Sequence, residues 1–221
     1  MEHIKAGKTD SLQSDAMKIA LVCKKFFIER GGLERYTVRL GRALLGEGHE
    51  VHVFANAWQE EPEVVFHHVP ILRMSSPVKN LSFAYFCKRR LSTAEFDVVQ
   101  SMERIFCQDI YRVSDGINPV HLLQRYPNPL VRKFKTLGPR RRVLTYLEQC
   151  LFSDQGSRFV MTNSKLLGKH VMEYYDVPRE KISVIYNSVD LSRFSFSVRE
   201  TRRQVMRKKY DIRDPIDGTG Q

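Results

Sequence analysis

Between Lys18 and Ala55 the chain presents an apolar run, a helical pattern and a second apolar run in quick succession. Few folds accommodate that order. "KIALVC" (18–23) is short and continuously apolar, the pattern of a strand buried on both faces. Leu33, Tyr36, Leu40 and Leu44 then recur at helical spacing, and Gly46 and Gly48 stop the helix. "HEVHVFA" reads as the next strand. Two strands joined by a helix make a βαβ unit, which implies a parallel sheet and a right-handed crossover.

The alternation continues along the chain. Strands are predicted at 63–71, 97–101, 109–114, 158–164 and 181–187. Helices are predicted at 80–94, at 165–175 with Asn163 or Ser164 as cap, and at 198–210. Residues 119–152 read as helical with interruptions near "YPNP" (126–129) and "LGP" (137–139). No internal repeat is visible. The fold class expected is α/β, one doubly wound parallel sheet with helices on both faces. Residues 1–16 form a polar tail without the apolar stretch of a signal peptide, 17–197 the folded domain, and 198–221 a charged helix followed by a frayed end.

Composition narrows the function classes. A hydrophobic share of 42% suits a globular chain and not a disordered one. The four cysteines lie far apart without metal-ligand spacing, so neither a disulfide framework nor a zinc site is expected, and a reducing compartment is. His67 and His68 point to opposite faces of a strand and cannot share a metal there, so no metal is assigned. No apolar run reaches the ~18–20 residues of a spanning helix. The formal charge of +11 is concentrated: Arg125, Arg132, Lys133, Lys135, Arg140, Arg141 and Arg142 fall in a stretch, 116–147, that holds no acid. Such a field attracts nucleic acid, an anionic bilayer or phosphorylated substrates.

In doubly wound sheets ligands sit beyond the carboxyl ends of the strands. That rule selects the Gly31-Gly32 loop, Asp115-Gly116, Asn163-Ser164 and Asn187. Helix N-termini at such places suit anions, and glycines let a phosphate approach the backbone. Each has a plainer alternative: the glycine pair as a tight turn, Asp115 as a turn aspartate, Asn163 and Ser164 as a helix cap, Glu34 and Arg35 as solvated charges. The glycine loop matches neither G-x-G-x-x-G nor a Walker loop. In "RRRVLTYLEQCLF" (140–152), Val143, Leu144, Leu147 and Leu151 line one helix face with arginines at its start, and upstream Phe134 stands among Arg132, Lys133 and Lys135. That mixture suits an anionic membrane surface, and equally a solvated helix packed on the domain.

"GGLERYTVRLGRALLGEGHEVHVFA" (31–55) resembles the opening of family-4, GT-B-fold glycosyltransferases, and "RFVMTNSKLLGKHVMEYYDVPREKISVIYNSVDLSRF" (158–194) resembles the end of their N-terminal domain. With "DIYRVSDG" and the segment leading to "YLEQCLFS", the likeness is greatest to the lipopolysaccharide core glucosyltransferase I group, over roughly residues 17 to 210. The resemblance implies a Rossmann-like N-terminal, acceptor-side domain. It would take part in moving a hexose from a nucleotide sugar such as UDP-glucose to a lipopolysaccharide-core or similar glycolipid acceptor. No other cofactor is implied.

In that setting Gly31 and Gly32 become contacts near the donor diphosphate and acceptor, flanked by Glu34 and Arg35. Asp115 becomes the group that orients or deprotonates the acceptor hydroxyl, beside Gly116. Asn163, Ser164 and Asn187 become cleft residues. Arg132, Lys133, Phe134, Lys135, Arg140, Arg141 and Arg142 fall in the membrane-interacting segment, which implies a peripheral protein at the cytoplasmic face of the inner membrane. The resemblance places most of the nucleotide-sugar site in a second domain, on an E-x(7)-E motif and a basic pair. The chain stops about where that domain would begin, so it is expected to be inactive alone. The alternatives are a non-catalytic membrane- or glycan-binding remnant of the fold and, third, a nucleic-acid binder, for which no recognised motif speaks.

Overall fold

Seven short strands pair in parallel into one sheet. They are β1 (Lys18–Val22), β2 (Glu50–Ala55), β3 (Val64–His68), β4 (Val98–Ser101), β5 (Ile110–Val113), β6 (Phe159–Thr162) and β7 (Ile182–Val184). Their order across the sheet is β3-β2-β1-β4-β5-β6-β7. The structure is a computed structural model and describes residues 15–188 and 196–212. Residues 1–14 of the polar tail expected over 1–16, the junction at 189–195 and the residues from 213 onward, expected to fray, lie outside the described residues.

Register fixes which side chains share a face. Ile19, Leu21 and Cys23 pack with Val51, Val53 and Ala55 beneath α1 (Gly32–Gly46). Ala20, Val22 and Phe54 face the other way, under Phe83, Ala84 and Cys87 of α2 (Ser76–Leu91). The lack of polar alternation in β1 thus reflects helices on both faces. Gly41 of α1 stands against Phe26 and Leu21, where a methyl group would just make contact.

The interruptions read in 119–152 divide it into α3 (Asn118–Arg125), α4 (Pro129–Thr136) and α5 (Pro139–Phe152). Each has a proline in its first turn, where the missing N–H costs nothing. α5 and α6 (Lys165–Tyr175) pack on the same face as α2, with Leu151, Phe152, Leu167 and Val171 against Tyr111, Val113, Val160 and Ile182. Several expectations shift at their ends, among them the strand read at 181–187, which stops at Val184. The helix read at 80–94 runs Ser76–Leu91, because Ser75 caps it and Pro77 fits its first turn. The strand read at 63–71 stops at His68, two residues before Pro70, which has no N–H for a ladder.

The chain divides into two compact units, one running to Ile185 and holding the sheet, the other beginning at Tyr186. In the second, α7 (Phe196–Lys209) carries Arg207, Lys208 and Lys209 in its last turn, the favourable end of the helix dipole for cations.

Candidate active site

The strand order reverses between β1 and β4: the chain winds outward through β2 and β3, then returns to lay β4 on the other side of β1. The loops leaving the carboxyl ends of β1 and β4 therefore diverge and leave a crevice. Two adjoining cavities occupy it, of ≈ 600 Å³ and ≈ 700 Å³. Lys24, just past β1, and Glu103, just past β4, line both. Their charged ends meet at 2.6 Å, and Lys24 Nζ also donates to Asn80 Oδ1 at 3.0 Å.

The first cavity lies beside the glycine loop. Arg30, Leu33 and Glu34 line it, together with Cys23, Lys25, Asn56, Arg73 and Lys79. Gly31 and Gly32 are not in its lining. Gly31 is the residue before α1, in extended backbone, and a Cβ there would run into the Glu34 carboxylate, which folds back over it. Gly32 opens the helix with free space where its Cβ would be, so no protein group demands glycine at that position. Arg35 Nε donates to Ile28 O at 3.3 Å and so shapes the loop instead of entering the cavity. Burial, followed by the Glu103 and Glu34 charges, pushes the Cys23 thiol far up, which makes it a poor nucleophile.

The second cavity contains Asp115, on the loop after β5, with Arg104, Asn118, His121, Arg125, Arg140 and Arg141 among its walls. Asp115 is exposed. Gly116 follows it at φ +84°, a left-handed turn that suits glycine. The His121 ring contacts the Asp115 carbonyl.

A buried carboxylate underneath organises this wall. Glu148 of α5 is fully buried and accepts from Arg104 Nε at 2.7 Å, from Asn118 N at 2.9 and 3.1 Å, and from the Tyr175 hydroxyl. Ile117, at the start of α3, offers no side-chain cap, so Glu148 supplies the anion that this helix N-terminus lacks. Arg104 also donates to Gly116 O at 3.2 Å, and Arg141 donates to Asn118 Oδ1 at 2.7 Å. Burial opposes the Arg104 charge, but nearby acidic groups, Tyr111 and Glu148 first, more than offset it and raise its pKa. Burial and then Glu148 push the Tyr175 phenol up, so it stays a donor. Glu148 lies three before Leu151 and four after Leu144, on the apolar stripe of "RRRVLTYLEQCLF". An acid on that stripe is the signal the sequence reading passed over.

The remaining expected residues sit elsewhere. Asn163 Nδ2 donates to Ser114 O at 3.2 Å and ties two strand-end loops together; Ser164 Oγ caps α6 through Leu167 N at 3.2 Å. Neither lines either of these two cavities. Asn187 is exposed and belongs to the unit beginning at Tyr186. The basic segment splits in two. Arg140 and Arg141 line the Asp115 cavity, while Arg142 is exposed outside it. On α4, Lys133, Phe134 and Lys135 are exposed and Arg132 is half-buried. Leu130, Phe134 and Leu137, at i, i+4 and i+7, form an outward apolar stripe, with Phe134 75% exposed. Glu95 and Glu103 have the E-x(7)-E spacing, but they flank β4 at opposite ends and so cannot converge on one ligand. Among the described residues no group of three or more His, Cys, Asp or Glu is placed to hold a metal, and no helix is long and apolar enough to cross a membrane.

The family described as Glycosyltransferase Family 4 matches residues 30–193, which include both cavities' strand-end loops from Arg30 onward. A probable transglycosylase of Burkholderia thailandensis is 26% identical over 169 residues, 75% of this chain and 44% of its own length. The crystal structure of WaaG, a glycosyltransferase involved in lipopolysaccharide biosynthesis, superposes with a TM-score of 0.73 at 19% identity, covering 89% of this chain and 52% of that one. A glycosyltransferase from Rickettsia africae does so with a TM-score of 0.51 at 15% identity, over 92% and 52%. The two structures share the fold of this chain. The chain spans about half the length of these relatives.

Proposed function

The chain belongs to glycosyltransferase family 4, and from that premise we propose that it forms the acceptor-side domain of a hexosyltransferase. The donor is a nucleotide sugar such as UDP-glucose, and the acceptor a lipopolysaccharide-core or similar glycolipid. The observation that carries this reading is the Asp115 carboxylate, held past β5 in a polar cavity at the topological switch point. A carboxylate there orients an acceptor hydroxyl, or takes its proton, once the hydroxyl is within hydrogen-bond reach. The hydroxyl oxygen then bonds to the anomeric carbon, and the nucleoside diphosphate leaves with the electron pair. The cavity beside Gly31-Gly32 is where the reacting end of the donor would meet the domain. A second domain, in the length the relatives have beyond this chain, would hold the nucleotide.

The exposed stripe of α4, flanked by Lys133 and Lys135, supports a peripheral protein at the cytoplasmic face of the inner membrane, where a glycolipid acceptor is presented. The test is turnover. The 221-residue chain alone should neither hydrolyse UDP-glucose nor transfer from it at an enzyme-like rate, and a C-terminal donor-binding half should restore transfer. Robust turnover by the chain alone would sink the two-domain reading. No transfer with any second half would sink the enzymatic one.

A further inference from the structure

The Asp115 cavity holds more positive charge than its folding requires. Five of its lining residues are Lys or Arg: Lys24, Arg104, Arg125, Arg140 and Arg141. Lys24 is matched by Glu103 at 2.6 Å and Arg104 by Glu148 at 2.7 Å. Arg125, Arg140 and Arg141 have no carboxylate partner among the described residues. Arg141 is held by Asn118 Oδ1 at 2.7 Å, which engages one of the five guanidinium donors. Arg125 and Arg140 are exposed and carry no partner within the described residues.

Two of these arginines also occupy the wrong end of a helix. Arg140 and Arg141 lie in the first turn of α5, where the backbone dipole is positive and acids are favoured, and that turn holds no acid. The dipole and the guanidiniums repel one another there. The α3 N-terminus next to it already has its anion in Glu148, so the two helix starts are treated oppositely. Folding gives no account of three guanidiniums without a carboxylate partner converging on a cavity of ≈ 700 Å³, large enough for a sugar or a disaccharide. A bound anion does, since guanidinium forks match phosphate oxygens bidentately.

We infer that Arg125, Arg140 and Arg141 form a phosphate-binding subsite beside Asp115. Resting on the reading of this cavity as the acceptor site, the phosphate belongs to the acceptor, a phosphorylated glycan. The same chemistry would serve the donor's diphosphate, and the test separates the two sources.

The experiment is calorimetric titration of the 221-residue chain with glucose 6-phosphate, glucose, inorganic phosphate and UDP. Glucose 6-phosphate should bind at least about tenfold more tightly than glucose, as expected for charge-assisted bonds. The Arg125→Gln/Arg140→Gln double variant should remove that advantage, because neither side chain supports the fold. Arg89→Gln, which removes a like charge from the last turn of α2, should not. Arg141→Gln should also weaken the phosphate, with loss of its bond to Asn118 read separately by thermal unfolding. Equal binding of glucose and glucose 6-phosphate overturns the subsite. An Arg89→Gln loss as large as that of the double variant overturns it too, because the effect is then diffuse charge. If inorganic phosphate binds as tightly as the hexose phosphate and glucose does not bind, the subsite stands and the acceptor reading falls. If UDP displaces glucose 6-phosphate through the same arginines, the subsite stands and its phosphate is the donor's.

Discussion

Replacing Glu148 should be the most damaging single change to the wall that carries Asp115. The carboxylate is fully buried and receives Arg104, the first N–H of α3 and the Tyr175 hydroxyl. Glu148→Leu would strand a largely buried guanidinium, a backbone N–H and a phenol. Breaking a buried pair from one side costs about 3–5 kcal/mol, because the charge left behind has lost its counter-ion. With a denaturant slope of roughly 2 kcal/mol per M in urea, the unfolding midpoint should fall by roughly 1.5–2.5 M. Urea titration followed by far-UV circular dichroism measures it. A second cycle checks the cause: in Arg104→Met/Glu148→Leu both charges are gone, and the double variant should be less destabilised than the sum of the singles by at least about 1 kcal/mol. A midpoint for Glu148→Leu within about 0.3 M of the parent, or strict additivity in the cycle, would refute the account of this network.

Other consequences follow from particular contacts. Burial, then the charges of His52, Arg90 and Lys18, holds the His67 pKa below its ordinary 6.5. As pH falls below about 6.5 the unfolded chain gains a proton that the folded chain resists, so stability drops on acidification. Glu50, lowered from 4.5 by its bond to His52, adds a loss in the same direction at lower pH. His67→Gln should flatten the decline of the melting temperature between about pH 7 and 5.5, and an unchanged profile would count against this. Gly116→Ala should cost about 1–3 kcal/mol, since φ is +84° and the new methyl would press on His121 at 3.2 Å. Gly32→Ala should be neutral or stabilise by up to about 1 kcal/mol; thermal melts of the two variants test the contrast. Phe134→Ser should leave the melt unchanged while weakening binding to vesicles containing anionic lipid, and undiminished vesicle binding would remove α4 from the membrane contact.

The fold was legible because each helix and strand is patterned locally. β1 is apolar throughout, α1 keeps its apolar spacing, and prolines 119, 129 and 139 punctuate the region between β5 and β6. Ser164 was readable as a cap for the same reason. What stayed hidden depends on residues distant in the chain. Glu148 reaches back 44 residues to Arg104 and 30 to Asn118, and the division of Arg140 and Arg141 from Arg142 appears only once α5 lies against α3. The helix read at 80–94 begins earlier because Ser75 caps it and Pro77 is at home in a first turn. The resemblance made the glycine pair a contact, and the cavity beside it is lined by its neighbours Arg30, Leu33 and Glu34.

The central claim is that the Asp115 cavity receives the acceptor hydroxyl. It is tested most directly by glucose transfer from UDP-glucose to a glycolipid acceptor, using this chain completed by a C-terminal donor-binding half, with and without Asp115→Asn. The side chain is exposed and forms no ion pair among the described residues, so the variant should fold and melt like the parent. The account predicts a fall in kcat of ~10²-fold or more, the scale of a positioned acid–base group. Parental kcat in a folded Asp115→Asn enzyme would contradict it.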